Sequence, residues 1–327
     1  MRILITGISG FVARHFVELL SGLPEHFIIA GIYNRNVPEF TGNEFPNVSC
    51  RFYKMDLLDN GQLKELIAAF RPGYILHLGS RSSVVYSWKH PAETIRQNTG
   101  IFTSIIESLR TLKLNCRLLS VGSAEEYGIV EESALPIVET LSPNPASPYG
   151  VSRVMQQNLA EVYTKNYGLD IVHTRSFNHI GAYQSSDFVL SSFARQIIMQ
   201  QQMGLREIEL SVGNIEVTRD FTDVRDVVKA YYLLLQKGKA GEVYNICSNQ
   251  PVILKDLLRI FEALTGTKIR CVLDPDSFHP SENKQVFGSY AKMNRETGWT
   301  PEIPIESTLA DLLNYWSGKL MVANCRK

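Results

Sequence analysis

The sequence predicts an α/β fold, a doubly wound parallel sheet joined to a smaller, interleaved C-terminal lobe. In the first half, short apolar segments alternate with helical patterns, which is typical of βαβ units in a parallel sheet covered on both faces. A glycine-containing turn joins the first predicted strand directly to the first predicted helix. The alternation is lost in the second half, which predicts a separate lobe and a ligand cleft between it and the sheet.

The predicted elements follow from these patterns. Runs rich in β-branched and aromatic residues predict six strands in the first half, at 2–6, 27–33, 49–54, 74–78, 117–121 and 170–176. Amphipathic spacing predicts four helices among them, at 12–20, 61–70, 92–112 and 150–167. The second half adds helices at 191–202, 224–236, 254–265 and 305–316 and strands at 208–212 and 243–246. We expect one domain from residues 1–178 plus about 219–247, and a lobe from about 179–218 plus 248–327.

The composition argues against several functional classes. The chain has 327 residues, 44% of them hydrophobic, with 33 basic and 33 acidic side chains. A net charge of zero argues against a general nucleic-acid footprint. No apolar run approaches the ~18 residues of a membrane span, and residues 3–5 are too short for a signal segment. The five cysteines show no metal-ligand spacing. We expect a cytoplasmic protein with reduced thiols and no metal, membrane or nucleic-acid partner.

The first turn predicts a dinucleotide site. In "RILITGISGFVA", Gly7 permits a tight turn after the strand, Gly10 lets the backbone approach a pyrophosphate, and Ala13 allows close helix–strand packing. The amides and the dipole of the helix N-terminus then face the phosphates. Phe11 and Val12, which begin this helix, are therefore also predicted to contact the cofactor.

The end of the second strand favours NADP(H) over NAD(H). An acidic residue there would bind the adenosine ribose, but "GIYNRN" has none and offers Arg35, whose guanidinium can pair with a 2′-phosphate. The alternative is a solvated loop arginine. Asp56, after the third strand, is placed to accept from the adenine amine. Leu57 and Leu78, also at strand ends, complete the predicted cofactor residues.

Six further motifs carry a family resemblance. In order, they are "VGSAEEYG", "SPYGVSR", "TRSFNHIGAYQ", "TRDFTDVRDVVKAY", "GEVYNICS" and "TGWTPEIP". The chain resembles the extended short-chain dehydrogenase/reductases over essentially its whole length, and among them the GDP-4-keto-6-deoxy-mannose reductases. Those enzymes use a nicotinamide cofactor to reduce the C4 ketone of a GDP-sugar to GDP-rhamnose. The resemblance implies a Rossmann domain and a homodimer formed through helices 92–112 and 150–167.

By this resemblance, Ser123, Tyr149 and Arg153 occupy the Ser–Tyr–Lys positions of the family. Hydride delivery to a ketone develops negative charge on its oxygen, and Ser123 and Tyr149 can both donate to it. An ordinary tyrosine has a pKa near ~10, so a fixed cation one helical turn away favours the phenolate. Arg153 supplies that charge and can clamp ribose hydroxyls, but an arginine cannot relay a proton. For Glu125, an acid/base role and a substrate-orienting or structural role both stay open.

The resemblance also implies anchors for the sugar nucleotide. Asn178 matches a position that contacts the substrate pyrophosphate, and Arg219 matches a nucleotide- or phosphate-binding arginine. Ser82 and Ser83 are candidate partners of sugar hydroxyls. Glu282 corresponds to a guanosine-ribose ligand, although this chain has His-Pro at 279–280 where the family usually has Arg-Pro.

Three functions follow from these residues. The first is NADPH-dependent reduction of GDP-4-keto-6-deoxy-mannose to GDP-rhamnose or its C4 epimer, GDP-6-deoxy-talose. The second is a GDP-mannose 4,6-dehydratase, a lyase, which Glu125 would serve as acid or base. Against it, the first turn reads "GISGFVA" where GDP-mannose dehydratases usually have G-x-x-G-Q-D-G. The third is a non-catalytic NADP(H)-binding regulator, for which Arg153 in place of lysine is the only support.

Overall fold

The structure, a computed structural model, describes residues 1–42, 44–274 and 283–325, with side chains as far as residue 322. The strands of these residues are β1 Arg2–Thr6, β2 Phe27–Tyr33, β3 Val48–Lys54, β4 Tyr74–His77, β5 Arg117–Val121, β6 Ile171–Ser176, β7 Asn178–Ile180, β8 Glu207–Val212, β9 Thr218–Asp223, β10 Val243–Ile246, β11 Pro251–Ile253, β12 Lys268–Leu273 and β13 Gln285–Val286. The helices are α1 Phe11–Ser21, α2 Asn60–Phe70, α3 Val84–Lys89, α4 Pro91–Leu112, α5 Pro148–Tyr167, α6 Val189–Gln202, α7 Val224–Lys237, α8 Leu254–Thr265, α9 Ala291–Thr297 and α10 Ile305–Cys325.

Seven strands form the main sheet, in the order β10-β6-β5-β4-β1-β2-β3. All neighbouring strands in it are parallel. The order reverses between β1 and β4, and in such sheets ligands bind beyond the carboxyl ends of the strands at the reversal. The predicted doubly wound parallel sheet is therefore confirmed.

Helices cover both faces of this sheet. On one face, α1 contributes Phe16 and Val17 and α7 contributes Tyr231 and Leu234 to a single apolar cluster with the strands. On the other face, side chains of α2, α4 and α5 form a second cluster. Strand β1 is buried between them, so its run of Ile3, Leu4 and Ile5 is fully excluded from solvent. Burial on both faces explains why this strand is continuously apolar rather than alternating.

The other strands form two small sheets. One joins β11, β9 and β13, with β7 also paired to β9, and the other pairs β12 with β8. Helices α6, α8 and α10 pack with them in a separate apolar cluster. Strand β10 belongs to the main sheet although it lies between β9 and β11 in the chain. The chain thus returns from the small sheets to the main sheet and leaves it again.

Most predicted elements lie within two residues of the observed ones, and the last helix continues beyond its predicted end to Cys325. The sequence missed β9, whose Asp220 and Asp223 are polar yet almost fully buried. Asp220 is satisfied because it accepts from the Ser248 amide at 2.7 Å and hydroxyl at 2.6 Å and from the amides of Asn249 at 3.0 Å and Gly288 at 3.2 Å. Such distant partners leave no pattern in the local sequence.

From the sequence we expect no membrane span and cysteines that are reduced. No helix in the described ranges is long and apolar enough to cross a membrane. The four cysteines whose side chains the structure describes, Cys50, Cys116, Cys247 and Cys271, are free.

The ends of β1 and β4 meet without intervening side chains. Gly7 has φ +73°, and a Cβ on it would lie 2.9 Å from the Cα and the amide nitrogen of Gly79. The Thr6 hydroxyl fixes the same junction, since it accepts from the amides of Leu78 at 3.1 Å and Gly79 at 3.0 Å. Glycine at position 7 is therefore required both by the left-handed backbone and by the close approach.

We predict that Gly7→Ala lowers the free energy of unfolding by roughly 2–5 kcal/mol, because it adds left-handed strain and overpacking. Gly168→Ala is the matched control, since Gly168 has φ +69° and nothing lies within 4 Å of a Cβ there. It should cost only about 1–2 kcal/mol. Denaturant unfolding measures both variants, and equal losses would show that the Gly79 contact is unimportant.

Candidate active site

A cleft of about 1820 Å³ runs along the carboxyl ends of the main sheet. Every predicted site residue that the structure describes lines it: Gly7, Gly10, Phe11, Val12, Arg35, Asp56, Leu57, Leu78, Ser82, Ser83, Ser123, Glu125, Tyr149, Arg153, Asn178 and Arg219. The predicted ligand Glu282 lies outside the described residues. Residues far apart in the chain are thus brought to one cavity.

The N-terminus of α1 opens into this cleft. Gly10 is the N-cap of α1, and no side chain caps the first amides of the helix. The first turn contains no acidic residue. The first amides of a helix have no partner within it, so they and the helix dipole suit an anion. Gly10 itself donates to the Gly7 carbonyl at 3.0 Å, which closes the turn. This local structure fits the pyrophosphate of a dinucleotide.

The other predicted cofactor residues lie around this turn. Arg35 is exposed after β2, and Leu57 is buried after β3. The Asp56 carboxylate accepts from the Leu58 amide at 3.0 Å, so part of its role is to shape its own loop. The Phe11 ring stacks on His179 with centroids 5.6 Å apart, which fixes the ring at the start of α1. A cation, a carboxylate and apolar side chains therefore lie together around the glycine turn.

Helix α5 carries the tyrosine and the arginine. Ser147 caps it by accepting from the Gly150 amide at 3.0 Å, and Pro148 occupies its first turn. Tyr149 and Arg153 therefore lie one turn apart, and the guanidinium carbon is 5.0 Å from the centroid of the tyrosine ring. Both side chains are nearly buried, with 6% and 4% of their surfaces exposed. The guanidinium thus lies within cation–π distance of the tyrosine ring.

Ser123 lies just after β5, where it caps a short 3-10 turn at Ala124–Glu126. Its hydroxyl oxygen accepts from the Glu125 amide at 3.2 Å, and its amide donates to the Glu126 carboxylate at 2.9 Å. A hydroxyl that accepts a hydrogen bond still has its own hydrogen to donate. Ser123 can therefore donate to a ligand in the cleft, while the exposed Glu125 lines the same wall.

The guanidinium of Arg153 is held by groups that the sequence analysis missed. It donates to the Ser80 hydroxyl, to the Val121 carbonyl at 3.3 Å and to the Gln156 side chain at 2.6 Å. The spacing of Arg153 and Gln156, three residues along one helix, is a signal that could have identified the second contact. Ser80 is 73 residues away in the chain, so no local pattern could have identified it.

The predicted substrate residues that the structure describes line the same cleft. Asn178 begins β7 and is exposed to the cleft. Arg219 on β9 donates to the carbonyls of Thr218 and Asn283, both at 2.9 Å, so its orientation is set by the backbone. Ser83 accepts from the Tyr86 amide at 3.1 Å as the N-cap of α3, and Ser82 precedes it in the loop. Ser83 therefore caps helix α3.

His77 lies behind this site, at the end of β4. Burial, and secondarily the positive charge of Arg153, lower its pKa from 6.5 to about 3. Its Nδ1 lies 2.8 Å from the Thr6 hydroxyl. Thr6 already accepts from two amides, so its own hydrogen is donated to Nδ1 of a neutral imidazole. The histidine is thus a neutral structural group next to a charged one.

Across the described ranges, no group of three or more His, Cys, Asp or Glu side chains could hold a metal ion.

The strand order, the glycine turn and the Ser123–Tyr149–Arg153 arrangement together define an extended short-chain dehydrogenase/reductase. Within this class, the chain belongs to the family described as GDP-mannose 4,6 dehydratase, whose model matches residues 4–312.

Individual relatives agree with this placement. The GDP-6-deoxy-D-mannose reductase of Pseudomonas aeruginosa is 33% identical over 98% of each chain. The solved structure of RMD from Pseudomonas aeruginosa complexed with NADPH has a TM-score of 0.85 at 32% identity, covering 97% of this chain and 99% of its own. DesIV, a dTDP-glucose 4,6-dehydratase from Streptomyces venezuelae solved with NAD bound, has a TM-score of 0.80 at 22% identity, covering 98% of each chain. That last likeness concerns the fold alone.

We predict that His77 makes stability depend on pH. In the folded protein its pKa of about 3 keeps it neutral, whereas the unfolded chain takes up a proton below pH 6.5. Its contribution is therefore complete above pH 6.5 and is lost as the pH falls towards 3, by up to about 1.4 kcal/mol per pH unit. Denaturant unfolding at pH 7 and pH 4.5 should show a weaker pH dependence for His77→Gln than for the wild type. The exposed His26, changed to Gln, is the control; an unchanged slope in His77→Gln would contradict this assignment.

Proposed function

We propose that the protein is an NADPH-dependent oxidoreductase that reduces the C4 ketone of GDP-4-keto-6-deoxy-mannose to GDP-rhamnose or its C4 epimer, GDP-6-deoxy-talose. The observation that carries this proposal is the convergence of Ser123, Tyr149 and Arg153 on the cleft that also contains the glycine turn. The similarity to a GDP-6-deoxy-D-mannose reductase over 98% of both chains supports the substrate class.

The residues suggest how the protein would assist the reaction. The nicotinamide supplies the hydride when bound. Ser123 and Tyr149 donate hydrogen bonds to the ketone oxygen as negative charge develops on it, and Tyr149 transfers its proton. Arg153, 5.0 Å from the tyrosine ring, stabilises the resulting phenolate. Because a guanidinium does not give up a proton, water or a ribose hydroxyl reprotonates Tyr149.

The preference for NADP(H) rests on Arg35. It is exposed at the end of β2 and lines the cleft, where a guanidinium can bind a 2′-phosphate through two hydrogen bonds. RMD from Pseudomonas aeruginosa was solved with NADPH and DesIV with NAD, so relatives of this fold use both cofactors. Asp56 and the apolar Phe11, Val12, Leu57 and Leu78 serve the adenosine and nicotinamide portions equally well for either one.

The sugar nucleotide would lie along the wall formed by Asn178 and Arg219. Arg219 is oriented by two backbone carbonyls at 2.9 Å, which reduces the entropy lost when it binds a phosphate. Ser82 and Ser83 are placed to meet sugar hydroxyls.

The cytoplasm is the compartment we propose, and a homodimer through α4 and α5 is the assembly. Helix α5 supports the dimer because Met155 and Val162 expose 41% and 48% of their surfaces.

A GDP-mannose 4,6-dehydratase is the second candidate, favoured by Glu125 on the cleft wall and by the description of the matched family. One assay separates the functions: NADPH with either GDP-mannose or GDP-4-keto-6-deoxy-mannose, followed by absorbance and product analysis. NADPH oxidation only with the keto sugar supports the reductase. Conversion of GDP-mannose without net cofactor loss indicates the dehydratase, and cofactor binding without turnover indicates a non-catalytic regulator.

We predict that Tyr149→Phe lowers kcat for the keto sugar by roughly 10²–10⁴-fold, because the general acid is removed. Cofactor affinity should change little. Tyr167→Phe is the control on the same helix, since Tyr167 is 54% exposed and does not line the cleft. Full activity in Tyr149→Phe would remove the tyrosine from the mechanism.

We predict that Arg35→Ala raises the KM for NADPH by roughly 10–100-fold, the value of a hydrogen-bonded charge pair. The KM for NADH should stay within about threefold, because NADH lacks the phosphate. Arg51→Ala, on β3 and outside the cleft, serves as the control. Parallel changes for both cofactors would mean that Arg35 does not bind the 2′-phosphate.

A further inference from the structure

A chain of buried polar side chains begins at the active-site arginine. Gln156 accepts from Arg153 at 2.6 Å and donates through its amide nitrogen to the Ser120 hydroxyl at 2.8 Å. Ser120 in turn lies 2.9 Å from Nδ1 of His173. Nε2 of His173 lies 3.1 Å from the Glu126 carboxylate. We call these four residues, which lead away from Arg153 one after another, the buried chain: Gln156, Ser120, His173 and Glu126.

The hydrogens in the buried chain have one consistent direction when Glu126 is a carboxylate and the His173 imidazole is neutral. A carboxylate only accepts, so Nε2 of His173 carries the hydrogen that bonds Glu126. Nδ1 of a neutral imidazole is then an acceptor, and the Ser120 hydroxyl donates to it. Ser120 accepts from the Gln156 amide, whose oxygen accepts from Arg153. Every member is satisfied, and the chain runs without a break from a positive group to a negative one.

Glu126 also reaches the other side of the active site. Its carboxylate accepts from the Ser123 amide at 2.9 Å and lies 3.5 Å from the Arg175 guanidinium. Gly122 provides the space, because a Cβ there would overlap both the Glu126 carboxylate and the His173 ring. Glu126 is fully buried and His173 is 2% exposed. A single buried network therefore connects Ser123 to Arg153.

This network helps to compensate for the burial of the Arg153 guanidinium. Arg153 has only 4% of its surface exposed, so its guanidinium loses most of its hydration and must be compensated within the protein. Among the described residues, no carboxylate forms a salt bridge with it. The groups that hold it are neutral: Ser80, the Val121 carbonyl and Gln156. Of these groups, only Gln156 is connected by further hydrogen bonds, through the buried chain, to the carboxylate of Glu126.

We propose that Gln156 is a positioning residue that, through the buried chain, holds the Arg153 guanidinium over the Tyr149 ring. It contacts neither cofactor nor substrate, since it does not line the cleft. The inference rests on the proposed reductase function, in which that guanidinium stabilises the phenolate. A lysine at position 153 would carry one ammonium nitrogen in place of the planar guanidinium with its several donors. The position of its charge would therefore depend less on Gln156.

A double-mutant cycle tests this proposal. Gln156→Leu should lower kcat for the keto sugar about 10-fold or more and change the KM for the sugar less than about threefold. In the Arg153→Lys background, the same change should alter kcat by about twofold or less. Gln200→Leu is the matched control: its side chain bonds the backbone of Glu209, neither residue lines the cleft, and kcat should be unchanged. Equal losses in both backgrounds would overturn the positioning role.

A structural readout separates this proposal from the proposed function. In a crystal structure of Gln156→Leu, the guanidinium should leave its place 5.0 Å from the Tyr149 centroid. Displacement in a protein that never reduces the keto sugar would support the positioning and overturn only the reductase. A guanidinium that stays in place would overturn the positioning whatever the activity. If Gln156→Leu does not fold, Ser120→Ala, which removes the anchor of the Gln156 amide, is measured by the same two readouts.

Discussion

The site depends on the contact between the ends of β1 and β4. Gly7 and Gly79 approach backbone to backbone, and the Thr6 hydroxyl binds the amides that follow β4. The glycine turn at Gly7–Gly10 begins on one side of this contact. The segment that reaches Ser80, a partner of Arg153, begins on the other. The separation of the glycine turn from the Arg153 guanidinium therefore depends on a backbone contact held by the hydroxyl of Thr6.

The second constraint is electrostatic. Three ionisable side chains near the carboxyl edge of the sheet, Arg153, Glu126 and His77, are almost wholly buried. The energetic cost of burial is reduced differently for each side chain. His77 stays neutral, and Arg153 is held by neutral acceptors. Glu126 pairs with His173 and Arg175. Charges fixed in this manner do not reorganise during a reaction, which is how a protein stabilises a developing negative charge better than water does.

Local patterns predicted much of this arrangement. The strand–glycine–helix order placed Gly7 and Gly10, and helical spacing placed Tyr149 one turn from Arg153, because both depend on neighbouring residues. What the sequence missed depends on distant partners. Glu126 and His173 are 47 residues apart, and Asp220 is buried only because residues beyond 247 satisfy it. A polar residue in a short segment is typical of a loop until its buried partner is known.

The chain passes from the main sheet to a small sheet and back, so the two parts depend on each other for stability. Strand β10 completes the main sheet beside β6, and α7 covers α1, yet both follow β9 of a small sheet. A cut after residue 178 would leave β6 with an open edge and α1 with an uncovered apolar face, a combination prone to aggregation. The two groups of strands therefore cannot be separated by a single cut of the chain.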